Sequence, residues 1–170
     1  MKSLQQVKLS IAAVLLLSLG LLAMINWDIV KREAWLAEGE IVRLELAPVD
    51  PRSLMQGDYM TLNYQIMARI RAATDGDNLN GYVRVKRNAD LVAQFVAFEA
   101  NYLDASTLPE NELLLQVRLR GGQVKLATNA FFFQEGQGER FEAAQYGEFR
   151  VNEQGELLLD ALLDQDLQKL

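Results

Sequence analysis

The chain has 170 residues, half of them hydrophobic, and a formal net charge of −6, which gives room for one globular domain and an accessory segment. It contains no cysteine and no histidine. That excludes disulfides, thiol nucleophiles and lipoprotein attachment, and it removes the commonest metal ligand and general base, so no cofactor and no metal are indicated. With Lys2 and Lys8 set aside, residues 28–170 hold 15 basic and 23 acidic side chains, a net −8, and such an acidic domain is a poor match for nucleic acid.

Residues 9–25 carry no charge, and as a helix they span about 26 Å, near the short limit for crossing a bilayer core. Trp27 stands where an interfacial anchor belongs. Residues 1–8 read as a short cytoplasmic tail, 9–27 as a transmembrane anchor, and 28–38 as a juxtamembrane helix with Ile29, Trp35 and Leu36 as its apolar residues and Gly39 as its C-cap. The competing reading is a cleaved signal peptide, with Lys2 and Lys8 as its basic region and small residues at Ser18-Leu19-Gly20. The apolar run continues past that point to Ile25, which favours an uncleaved signal-anchor. Lys31 and Arg32 behind the span balance Lys2 and Lys8 ahead of it, so flanking charge is nearly neutral on sidedness. A short tail before a signal-like segment places residues 39–170 on the extracytoplasmic side.

Beyond the anchor the pattern changes to period two. In residues 41–46, Val42, Leu44 and Leu46 alternate with Arg43 and Glu45, the pattern of a half-buried strand. Residues 82–86 return through Asn88-Ala89-Asp90 into a second arm at 91–98. The clearest hairpin has Leu115, Val117 and Leu119 before a Gly121-Gly122 turn and Val124 and Leu126 after it. Two-residue pairing sets Leu119 opposite Val124 and Val117 opposite Leu126, so both arms bury one face. A last hairpin joins 149–151 to 156–159 through Asn152-Glu-Gln-Gly155, although Leu159, Leu162, Leu163 and Leu167 also fit a helical period. Short helices are predicted at 66–73 and at 139–146, the second closed by Gly147, with a loop at 74–81. The fold class is mainly β: antiparallel hairpins in a sandwich or open barrel, one or two short helices, and the N-terminal transmembrane helix.

Two blocks stand out as candidate sites. In the first, Pro48 and Pro51 fix φ and deliver Asp50 and Arg52 to Gly57-Asp58, from which an alternating strand departs. Asp50, Arg52 and Asp58 form either a self-pinned turn or a loop that clamps a polar ligand. The run Gly57-Asp58-Tyr59-x-x-Leu62-x-Tyr64 resembles a bacterial family of membrane-anchored proteins named for that motif. The resemblance implies a bacterial inner-membrane protein with a periplasmic domain and names no activity. Relatives are often encoded beside multi-spanning membrane proteins, which implies such a partner. Val49 occupies the place where signal-peptidase-type proteases carry serine, Ser53 is out of register and no lysine base is at hand, so that mechanism is set aside.

The second block, an aromatic run Phe131-Phe132-Phe133 followed by Glu135-Gly136-x-Gly138, resembles the same family's other segment, with Gln134 where relatives often carry proline. Glu135 or Glu139 with Asp58 would supply the paired carboxylates of glycan hydrolysis or hold a hard cation; the plainer reading is a solvated turn. A basic strip of Arg84, Lys86, Arg118, Arg120 and Lys125 falls on the solvent side of the predicted strands, with Arg118 opposite Lys125. It is either balanced by the chain's own carboxylates or a docking strip for anionic headgroups or an acidic partner. The expected function is that of a single-pass accessory or binding protein partnering a membrane protein or envelope component. The alternative is an envelope-polymer hydrolase.

Overall fold

The computed structural model describes residues 4–47 and 59–170, in two compact units, Met1–Ala37 and Glu38–Leu170. The first unit is built on helix α1, Leu4–Glu38. Between Lys8 and Glu38 it is long and apolar enough to cross a membrane, with none of its apolar window buried, a test that a signal sequence also meets. Its apolar residues surround the axis instead of forming a stripe, as expected of a helix whose surroundings are apolar on every side. Beyond the apolar run, Asp28 and Arg32 pair one turn apart at 2.9 Å.

The second unit is antiparallel β. Strand β1 (Glu40–Glu45), β8 (Tyr146–Val151) and β9 (Leu157–Leu163) form one sheet in the order β1-β8-β9; β3 (Leu79–Arg87), β4 (Ala93–Glu99), β5 (Glu112–Arg120) and β6 (Gln123–Leu126) form another in the order β4-β3-β5-β6; and β2 (Tyr59–Thr61) pairs with β7 (Ala130–Phe132). Helices α2 (Ile66–Ala72) and α3 (Gly138–Phe141) complete it. The fold class expected from the sequence is therefore observed.

All three sheets bury their inward residues in one core: Val42 and Leu44 from β1, Val83 and Val85 from β3, Leu115, Val117 and Leu119 from β5, Phe149 and Leu162 from β8 and β9, and Met60 from β2. Each such side chain is worth about 1.5–3 kcal/mol of burial. The large sheets also meet along two seams, a parallel bridge from Arg43 to Val92 and a hydrogen bond from Gln116 N to Gly155 O.

The Gly121-Gly122 hairpin has the register its sequence predicts, with Leu119 opposite Val124, Arg118 opposite Lys125 and both glycines at positive φ. The last hairpin is strand, as its alternation suggests. Two expectations are corrected. The predicted helix at 139–146 is a single turn at Gly138–Phe141, because Tyr146 and Gly147 are drawn into β8 by pairing with Glu45 and Leu44 on one side and Leu163 and Leu162 on the other. The predicted loop at 74–81 ends sooner, since Leu79, Asn80 and Gly81 already pair with Leu119, Arg118 and Val117.

Three turns share one construction. At 88–92, 152–156 and 164–168 the first residue is Asn88, Asn152 or Asp164, and its Oδ1 accepts from the backbone N–H two and four residues on. The fourth residue has positive φ: Leu91 at 60°, Gly155 at 78° and Leu167 at 61°. The side chain thus supplies acceptors that a tight turn otherwise leaves to water.

Candidate functional site

The two blocks singled out in the sequence meet. Strand β2, which carries the start of the Tyr-x-x-Leu-x-Tyr run, pairs antiparallel with the aromatic strand β7, setting Tyr59 opposite Phe132, Met60 opposite Phe131 and Thr61 opposite Ala130. Leu62 N extends the pairing by donating to Asn129 O at 2.8 Å. On the other side the run is held to the end of β1, through Ala47 N to Asn63 O and Gln65 N to Glu45 O.

Strand alternation then sorts the side chains. Met60, Leu62 and Tyr64 point into the core. Tyr64 is the largest fully buried side chain; its ring meets Phe149 edge-on at 5.7 Å and its hydroxyl donates to Thr128 O at 2.8 Å. Burial pushes its phenol well above the ordinary tyrosine value. Tyr59 and Phe132 point outward instead, 36% and 75% exposed, with ring centroids 5.7 Å apart. Asp50, Arg52, Gly57 and Asp58 lie outside the described residues.

The Glu135-Gly136-x-Gly138 segment is a turn that brings α3 back under β7. Gln137 N donates to Gln134 O at 3.1 Å and Gly136 has φ +82°. Gly138 is buried at the start of α3, and Phe141 meets Phe131 edge-on at 4.9 Å and Phe133 in a tilted pair at 5.4 Å. Glu135 and Glu139 are exposed. Among the described residues no group of three or more His, Cys, Asp or Glu is gathered in a way that could hold a metal ion.

The family profile described as GDYXXLXY protein matches residues 21–162. The chain belongs to the GDYXXLXY family. No curated protein matches it, and neither does any solved structure. The later residues of the GDYXXLXY signature are thus core-building: Leu62 and Tyr64 anchor the strand, and Tyr59 is the residue they leave at the surface.

The basic strip is split by the fold. Arg84 lies between two carboxylates, Glu99 at 3.3 Å and Glu112 at 3.4 Å. Among the described residues Arg120 is held by neutral acceptors, Asn80 Oδ1 at 2.7 Å, Leu119 O at 2.7 Å and Leu79 O at 3.3 Å. Lys86, Arg118 and Lys125 are exposed.

One feature was not legible in the sequence. A cleft of about 390 Å³ lies beside the turns at 88–92 and 164–168, lined by Glu45, Asp90, Gln94, Tyr146, Gln165 and Asp166 among others. None of the candidate site residues that are described lines it. The shared Asx signal of its two turns was the clue available, obscured because leucine, not glycine, fills the positive-φ position in both.

Proposed function

We propose that this GDYXXLXY protein is a single-pass, membrane-anchored accessory module that docks onto a membrane protein or envelope component through the Tyr59–Phe132 face. The observation that carries the reading is the exposure of Phe132, 75%, beside Tyr59. A phenylalanine that open is costly to leave in water, and large aromatics in such positions anchor protein interfaces. The pair stands on a rigid support, because the alternate residues Met60, Leu62, Tyr64 and Phe131 are packed into or against the core. Helix α1 supports the anchoring by its length and composition. In this reading the protein sits in a bacterial inner membrane, residues 39–170 are periplasmic, and a multi-spanning membrane protein is the favoured partner.

Among the described residues no observation favours the hydrolase. Glu135 and Glu139 are exposed on the turn before and the first turn of α3, and neither lines the cleft. The test is recovery of the full-length protein in mild detergent after crosslinking in cells. A stoichiometric membrane partner should accompany the native chain and be lost with Phe132→Ser at unchanged melting temperature. Recovery of the same partner by Phe132→Ser overturns the assignment of this face.

A further inference from the structure

The outer face of the β4-β3-β5-β6 sheet has two halves. Over one half, Tyr102 lies on Tyr82 with ring centroids 5.4 Å apart and donates its hydroxyl to Glu153 O, and Arg84 is neutralised by Glu99 and Glu112. The other half, toward the Gly121-Gly122 turn, carries Arg118, Arg120 and Lys125. Cross-strand pairing sets Arg118 directly opposite Lys125, at a separation of roughly 5 Å between Cβ atoms where like charges repel. Arg120 is two residues along the same strand and, among the described residues, meets neutral oxygens. Around them stand Asn80, Gln116 and Gln123, polar groups without charge, paired in register with Arg118, Tyr82 and Arg120.

Among the described residues no carboxylate pairs with these three cations, which is unexpected in a chain whose residues 28–170 carry a net −8. We propose that this face of the β5–β6 hairpin docks onto the anionic phospholipid headgroups of the membrane in which the chain is anchored. The proposal rests on the anchoring reading of α1. It is independent of the Tyr59–Phe132 face. The physical case is one of sign. The excess of carboxylates repels the domain from an anionic surface, and a face whose arginines and lysine have no carboxylate partner among the described residues is the face able to approach it. Arginine and lysine bind phosphate oxygens by charge-assisted hydrogen bonds, and the neighbouring amides of Asn80, Gln116 and Gln123 add neutral donors.

The chain has no native cysteine, so a single label reports one place. Gln123→Cys in the full-length protein is labelled with an environment-sensitive fluorophore and reconstituted into lipid nanodiscs of phosphatidylcholine with and without phosphatidylglycerol. Gln137→Cys, exposed on the α3 turn, is the control. The expected result is a blue shift at position 123, absent at 137, that requires phosphatidylglycerol and disappears in about 1 M salt, where the Debye length is about 3 Å. Arg118→Gln with Lys125→Gln should lower the docked-to-free ratio on the order of 30-fold. It should leave the melting temperature unchanged or higher, because the like-charge pair is gone. No shift with phosphatidylglycerol in a protein that has entered the disc overturns the proposal, whereas failure to enter the disc refutes the anchor as well. A shift produced by soluble polyglutamate over neutral discs, and not by phosphatidylglycerol, assigns the face to an acidic polypeptide and also overturns it.

Discussion

Arg43 and Glu148 face each other across β1 and β8, and both Nε and Nη2 of Arg43 lie 2.9 Å from the same oxygen of Glu148, Oε2. The other oxygen takes Lys169 Nζ at 3.3 Å, which ties the end of the chain to the sheet. The Glu148 side chain is only 5% exposed and that of Arg43 20%, so removing one partner leaves a mostly desolvated charge. Arg43 also donates to Asp90 O at 2.9 Å, binding the 88–92 turn to the same pair.

Glu148→Ala is expected to cost about 3 kcal/mol of unfolding free energy. Lys169→Met, which removes an exposed cation, should cost under about 1 kcal/mol. Denaturant titration of both variants checks the order. A larger loss from Lys169→Met would mean that the C-terminal contact, not the Arg43 pair, secures Glu148.

Alkaline pH should unfold the domain through Tyr64. The folded chain keeps this phenol protonated well above its ordinary 10.0 because it is buried, while the unfolded chain releases the proton there. Stability is therefore full below pH 10.0 and falls by about 1.4 kcal/mol per pH unit above it. Lys169 acts in the same direction, since its hydrogen bond to Asp160 holds it protonated above 10.5. Tyr64→Phe should cost about 1–2 kcal/mol at neutral pH by orphaning Thr128 O, yet flatten the alkaline decline. Equal slopes for the two proteins would assign the decline elsewhere.

The three matching turns give a contrast at their positive-φ position. At Gly155 a Cβ would sit 2.7 Å from Leu114 O, beside the Gln116–Gly155 bond that joins the sheets. Gly155→Ala is thus expected to cost more than about 1 kcal/mol. Leu167→Gly relieves a left-handed leucine while losing half-buried contact, and should change stability by less than about 1 kcal/mol. Thermal melts of the two variants decide it, and equal losses would contradict the role given to Gly155.

What the sequence revealed and what it hid follow from the range of each interaction. The β5–β6 register was legible because a two-residue glycine turn and an alternating pattern specify the same pairing locally. The β2–β7 pairing was not, since the alternation of Tyr59, Met60 and Thr61 fixes which side chains are buried but not which strand lies beside them. The helix expected at 139–146 gave way at Tyr146 and Gly147 because pairing on both sides of β8 outweighs the propensity of a few residues. The basic strip was read from strand alternation, which does not reveal cross-strand partners: Glu99 and Glu112, on the strands flanking β3, pair with Arg84 and not with the cations at the hairpin end.

Topology can be read independently of any partner. A phosphatase reporter after Leu170 should be active and one before Lys8 silent, and the protein should remain in the membrane pellet in alkaline carbonate at its uncleaved mass. A mature N-terminus just after Gly20 would identify a signal peptide in place of the anchor.

The docking role of the Tyr59–Phe132 face is tested most directly by replacing Phe132 with photoreactive benzoylphenylalanine in the full-length protein and irradiating intact cells, with the same residue at exposed Glu153 as control. One discrete crosslinked membrane protein is expected from position 132, absent from position 153 and lost when Tyr59→Ser is added. No adduct from position 132, or the same adducts from both positions, would contradict the docking role.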